Sequence, residues 1–85
     1  MTTVRIYTKS NCPQCVLTKR LFTSLGVPFV EEDATDEGNL AAIKALGFLA
    51  APVVCVGESD DDMWAGFQPE RIREIADRIN QKENQ

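Results

Sequence analysis

The sequence predicts an α/β fold, a four-stranded mixed sheet flanked by three helices in the order β-α-β-α-β-β-α. Three observations predict it. Val4-Arg5-Ile6-Tyr7-Thr8 alternates apolar and polar residues with a period of two, the pattern of a strand with one buried face. Pro52-Val53-Val54-Cys55-Val56 is an unbroken apolar run, as in a strand buried on both faces. Around them lie segments with apolar residues at helical spacing, clearest in Ile72, Ile75, Ala76 and Ile79.

Taken in order, Val4–Thr8 is the first strand, and Lys9-Ser10-Asn11 breaks it as a loop. Pro13 suits the first helical position, where its missing N–H costs nothing. Val16, Leu17, Leu21, Phe22 and Leu25 then mark a buried helical stripe, stopped by the left-handed Gly26. Val27-Pro28-Phe29-Val30-Glu31 restarts extended, with Pro28 as the strand's first residue. Thr35 is placed to cap a second helix, with Asp36 and Glu37 near its positive end. Leu40, Ile43 and Leu46 supply its buried stripe, and Gly47 ends it. After the apolar run, Gly57 to Asp62 is a charged turn and Met63-Trp64-Ala65 a short partner strand. Pro69 opens the last helix, and the polar tail Gln81–Gln85 is expected to fray. The first half can close a right-handed parallel βαβ unit, and the second adds an antiparallel hairpin and a helix.

Eighty-five residues leave room for one domain, 1–85. No charge-free stretch reaches the ~20 apolar residues of a membrane span. Met1 runs almost directly into the first strand, so no signal peptide is expected and the cytoplasm is the default location. A net charge of −4 argues against a nucleic-acid partner. The charge is unevenly spread: residues 1–30 hold Arg5, Lys9, Lys19, Arg20 and no acid, hence +4. The other 55 carry five bases and thirteen acids, hence −8. With no histidine in the chain, imidazole chemistry is excluded.

Three cysteines are too few for a secreted disulfide scaffold. Cys12-Pro13-Gln14-Cys15 stands where the first strand meets the first helix. Cysteines at i and i+3 share a helical face, so their sulfurs can meet in a redox disulfide. Cys12, in the first turn, gains from unpaired N–H groups and the helix dipole, which lower a thiol pKa from about 8.5 to roughly 3.5–7.5. Lys9 pushes the same way. Cys12 is therefore the expected nucleophile, and Cys15, one turn further in, the resolving thiol. A zinc knuckle would need a second pair of ligands, and only Cys55 remains. Cys55, among valines, reads as a small buried hydrophobe.

With these elements, C-P-x-C after a first strand resembles the thioredoxin fold in its glutaredoxin-sized form. Trp64-Ala65-Gly66-Phe67-Gln68-Pro69 is similar to the W-S-G-F-R-P segment of the NrdH-redoxins, electron donors of class Ib ribonucleotide reductase. Ala51-Pro52-Val53-Val54 and the Gln14 of C-x-Q-C also fit. The resemblance runs from Val4 to about Ile79. It implies a monomeric dithiol carrier without a bound cofactor. NADPH would recharge it through thioredoxin reductase, and ribonucleotide reductase would consume its electrons. It further implies a cis Ala51-Pro52 peptide facing the disulfide, with backbone of residue 51 available to a docked substrate chain. An apolar docking patch is expected from Phe48, Leu49, Trp64, Gly66, Phe67 and Gln68, with one of Trp64 and Phe67 in the core instead.

Two departures are visible. Gln68 replaces the family's usual arginine, so the polar network beneath the last helix must be differently built. Pro13 is more typical of glutaredoxins, which keeps a glutathione-dependent reading open. Against it, the segment before the last helix lacks the glutathione-holding acids, and Asp60-Asp61-Asp62 come too early, in the hairpin turn. A metal or iron–sulfur module built on Cys12 and Cys15 is the rival from another class. No carboxylate in the first thirty residues can take the Cys15 proton from below.

Overall fold

The computed structural model describes residues 3–48, 50–57 and 62–83, with backbone alone for 81–83. The elements are β1 (Val4–Thr8), α1 (Pro13–Ser24), β2 (Val30–Asp33), α2 (Glu37–Ala45), β3 (Val53–Val56), β4 (Met63–Ala65) and α3 (Pro69–Glu83). The predicted order is observed. The strands form one sheet in the order β2-β1-β3-β4. β2 runs parallel to β1, with Arg5 opposite Val30, and β3 runs antiparallel, with Ile6 opposite Val54. β4 completes the hairpin, Val54 facing Trp64.

The period of two sorts side chains onto two faces. Val4, Ile6, Val54, Val56 and Trp64 point to one, where Phe22 of α1 and Ile72, Ile75 and Ala76 of α3 cover them. Val53, with the half-buried Tyr7, Cys55 and Ala65, points to the other, where Ile43 of α2 packs. β3 is thus buried from both sides, as its composition predicts. Cys55 belongs to this second cluster and is only half-buried.

Several elements differ from the sequence reading. On α1 the buried line is Cys15, Thr18 and Phe22, while Val16 and Leu17 face solvent. Thr18 can occupy a fully buried position because its hydroxyl donates to the Gln14 carbonyl at 2.8 Å. β2 starts at Val30, beyond Pro28. The cap of α2 is Asp36, whose carboxylate accepts from the Asn39 N–H at 3.3 Å. Thr35 is drawn away from capping because its N–H and hydroxyl both donate to Asp33. Leu40 and Leu46 are exposed, since α2 covers its face of the sheet through Ile43. α3 continues to Glu83, so the last helix takes in the backbone of 81–83, while residues 84 and 85 of the polar tail lie outside the described residues. Asp60 and Asp61 lie outside the described residues, and Asp62 pairs with Arg78 at 3.0 Å.

Both α1 and α2 end on a Schellman turn. The Val27 N–H reaches the Phe22 carbonyl and the Gly26 N–H that of Thr23, while Phe48 and Gly47 do the same with Ile43 and Lys44. Each turn also seats an apolar residue, Val27 or Phe48, against the core cluster its helix caps.

Candidate active site

The site is assembled where β1 hands over to α1. Asn11 adopts the left-handed conformation (φ 56°), which asparagine tolerates better than most residues. Cys12 follows in extended conformation (φ −119°, ψ 96°) as the N-cap of α1. Pro13 takes the first helical position and is exposed. The capping acceptor is therefore a sulfur: Cys12 Sγ receives the Cys15 N–H at 3.1 Å. No acid sits in the first turn of α1. Negative charge arising on Cys12 would meet the N–H groups and dipole of the helix and no carboxylate of that turn.

Cys12 and Cys15 form a disulfide, with a Cα–Cα separation of 5.2 Å. Cys12 retains 8% exposure and Cys15 2%. The sulfur of Cys12 lies 3.8 Å from the Ala51 carbonyl oxygen. The Ala51–Pro52 peptide is cis, as the resemblance implies, and Pro52 is buried beneath it. Lys9, exposed at the end of β1, lines two adjoining clefts beside the site. Among the described residues the buried polar side chains are Thr8 and Thr18, and no carboxylate belongs to the core. The same residues bring no three His, Cys, Asp or Glu side chains together in a metal-binding group.

The aromatic segment before α3 divides. Trp64 is 3% exposed, inside the larger core cluster, with the Arg71 guanidinium 4.9 Å from its ring centroid. Its expected role in docking is corrected: the strand period at β4 turns it inward, and little of its surface is left for a partner. Phe67 is half-buried. Phe48 is half-buried on the α2 side, and Leu49 lies outside the described residues. Gln68 builds a short-range link in place of a wider network, its Nε2 donating to the Ala65 carbonyl at 3.0 Å.

One connection is not readable from the sequence. Gln14 Oε1, between the two cysteines, accepts the Phe67 N–H at 3.0 Å, across 53 residues of chain. The preceding N–H, of Gly66, donates to the Pro52 carbonyl at 2.8 Å. Two consecutive amides thereby tie the segment before α3 to both the C-P-x-C turn and the cis-proline strand. Gly66 is required there: its φ is +85°, and a Cβ would stand 3.2 Å from Gln14 Oε1. Glycine before an aromatic was the only signal.

Comparison with known proteins adds to this geometry. Residues 4–59 match the glutaredoxin family. The chain is 37% identical over 78 residues to the glutaredoxin-like protein NrdH of Salmonella typhimurium, covering 85% of this chain and 86% of that one. Identity to the Lactococcus lactis NrdH is 30%, over 86% of this chain and 99% of the relative. The solved NrdH-redoxin of Escherichia coli superposes with a TM-score of 0.74 at 34% identity, covering 85% of this chain and 92% of that one. The glutaredoxin of Archaeoglobus fulgidus superposes at 0.66 with 26% identity, covering 87% and 85%.

Proposed function

Since the chain belongs to the glutaredoxin family, as a glutaredoxin-like NrdH-type thiol–disulfide oxidoreductase, we propose that it carries electrons from thioredoxin reductase to protein disulfides, those of class Ib ribonucleotide reductase foremost. In the reduced protein, the Cys12 thiolate attacks one sulfur of a target disulfide. The target S–S bond breaks, a mixed disulfide forms, and the departing target thiolate takes up a proton. The Cys15 thiolate then attacks the Cys12 sulfur and releases the second target thiol after protonation. Two electrons and two protons reach the target, and the Cys12–Cys15 disulfide remains. NADPH enters only through the reductase. The protein works without a bound cofactor, as a monomer in the cytoplasm.

The observation that carries the choice of electron source is the use already made of the amides before α3. A glutathione site needs donors for the tripeptide's carboxylates and acceptors for its α-amino group. Here the N–H groups of Gly66 and Phe67 are engaged by Pro52 and Gln14, and Met63–Pro69 contains no acid. An uncharged surface with Phe67 half-buried suits a protein partner, whose docking gains from apolar burial. The solved E. coli NrdH-redoxin is described as having a thioredoxin-like activity profile, which supports the same reading.

The test is NADPH consumption with insulin as the final acceptor. Thioredoxin reductase should sustain turnover, and glutathione with glutathione reductase should sustain it poorly. Faster turnover on the glutathione arm would make the protein a glutathione-dependent glutaredoxin.

A further inference from the structure

A pocket of about 170 Å³ opens between α2 and the turn that carries the cis proline. Its apolar wall is Leu40, Ile43 and Phe48, and its rim includes Ala51, Lys9 and Lys44. Leu40, Ile43 and Lys44 stand at i, i+3 and i+4, so α2 turns one continuous face toward it. This accounts for Leu40, which is 38% exposed and otherwise an apolar residue left to water. Small-molecule sites enclose roughly 300–1,000 Å³, and this pocket is smaller. It is the size of one or two side chains.

We propose that this pocket receives the target chain beside the cysteine under attack, selecting an apolar side chain with a carboxylate next to it. The inference rests on the dithiol-exchange reading above and specifies the targets it favours. Ala51 supplies the link between chemistry and pocket, since its carbonyl is 3.8 Å from the Cys12 sulfur and its residue also lines the cavity. A target cysteine joined to Cys12 therefore has its neighbours beside the opening. An extended chain advances about 3.3 Å per residue, so the residue one or two positions away reaches the apolar wall.

Charge selects the second feature. Two cations and no anion line the pocket. Among the described residues the ion-paired cations are Lys19 and Arg78, so Lys9 and Lys44 keep their charge for a partner. The adjoining cleft, which shares Lys9 and Thr35 with this pocket, is lined also by Glu31, Glu32 and Asp33. An acidic segment is thus directed toward α2 and away from the end of β2.

Three synthetic peptides can test this, each with a Cys-Gly-Gly-Cys disulfide flanked on both sides by one residue pair: Leu-Asp, Leu-Lys or Ser-Asp. Second-order rate constants for their reduction by the dithiol protein are compared at low salt. The Leu-Asp peptide should react about five- to tenfold faster than the Leu-Lys peptide, from charge. It should exceed the Ser-Asp peptide by about tenfold, from apolar burial. Lys44→Glu should reverse the order of the Leu-Asp and Leu-Lys peptides. Wild-type rates within twofold of one another would overturn the proposal without reference to any variant, and a folded Lys44→Glu protein that keeps the preference would remove its electrostatic half. Bis(2-hydroxyethyl) disulfide, small and uncharged, separates the two levels of argument. Failure to reduce it would defeat dithiol exchange itself, whereas normal reduction with indifferent peptides would defeat only the pocket.

Discussion

At Cys12 one atom answers two requirements that proteins usually divide. A helix N-terminus wants an acceptor for its third N–H, commonly an oxygen of Ser, Thr, Asp or Asn. A nucleophile wants stabilised negative charge. The Cys12 sulfur is that acceptor, bonded to the Cys15 N–H, and gains most from the bond as a thiolate. In the Cys15→Ser protein, alkylation of Cys12 should titrate with a midpoint well below the about 8.5 of an ordinary thiol. A midpoint at or above that value would remove the nucleophile assignment. Trp64 calls for the opposite kind of argument, because its ring is enclosed by the core. Trp64→Ala should cost about 3–5 kcal/mol in chemical denaturation, a large part of the about 5–15 kcal/mol that holds a domain together. Under conditions where the variant remains folded, its KM for the reductase should be close to wild type. A raised KM with unchanged stability would return Trp64 to the docking surface.

Among the elements, those that a local pattern encodes were legible: β1 by alternation, β3 by its apolar run, α3 by its stripe, and the helix ends by Gly26 and Gly47. The core stripes of α1 and α2 were less so. Hydrophobic periodicity reports residue type, while burial depends on the neighbour each face meets. Cys15 and Thr18 occupy buried positions on α1 that the reading gave to Val16 and Leu17. The C-P-x-C pair was legible for the same local reason, whereas the bond from Gln14 to Phe67 spans 53 residues and leaves no local trace. The tie between β2 and its neighbours is of this long-range kind too. The Glu31 carboxylate accepts from the Thr8 hydroxyl at 2.6 Å and from Lys19 at 2.9 Å, and these partners hold it below its ordinary 4.5. A carboxyl whose folded pKa lies below its unfolded one stabilises the fold above about pH 4.5, and the gain fades as pH falls through the folded value. Glu31→Gln should therefore lower Tm slightly at pH 7, a modest effect because Glu31 and Lys19 are both partly exposed. The two proteins should converge as pH falls through the lowered folded pKa of Glu31. A difference that grows on acidification would contradict the linkage.

The whole molecule is held unequally on its two sides. One face of the sheet is covered by two helices, α1 and α3, and Phe22, Ile72, Ile75 and Ala76 join the strand residues in one buried cluster. The other is covered by α2, from which Ile43 alone is buried. α2 has nine residues, fewer than the roughly 12–15 an isolated helix needs in water. Its persistence depends on Ile43, the Asp36 cap and the Schellman turn at Gly47, a small set of contacts beside the larger cluster. Local opening follows the thinnest packing, so α2 should be released before the sheet. In native-state hydrogen exchange, amides of α2 should be markedly less protected than those of β1 and β3, whose bonds lie inside the sheet. The placement suits the chemistry: the loosely held helix forms one wall of the pocket beside Cys12, whereas Cys12 caps α1 and Pro52 is fully buried just before β3. In the Cys15→Ser protein, which cannot resolve it, a mixed disulfide at Cys12 with the Leu-Asp peptide should slow exchange in α2, because filling the pocket adds contacts to Leu40 and Ile43. Protection of α2 equal to that of β3 in the free protein would show that the thinner layer is no weaker. The adaptability of the pocket would then have to reside in side chains alone.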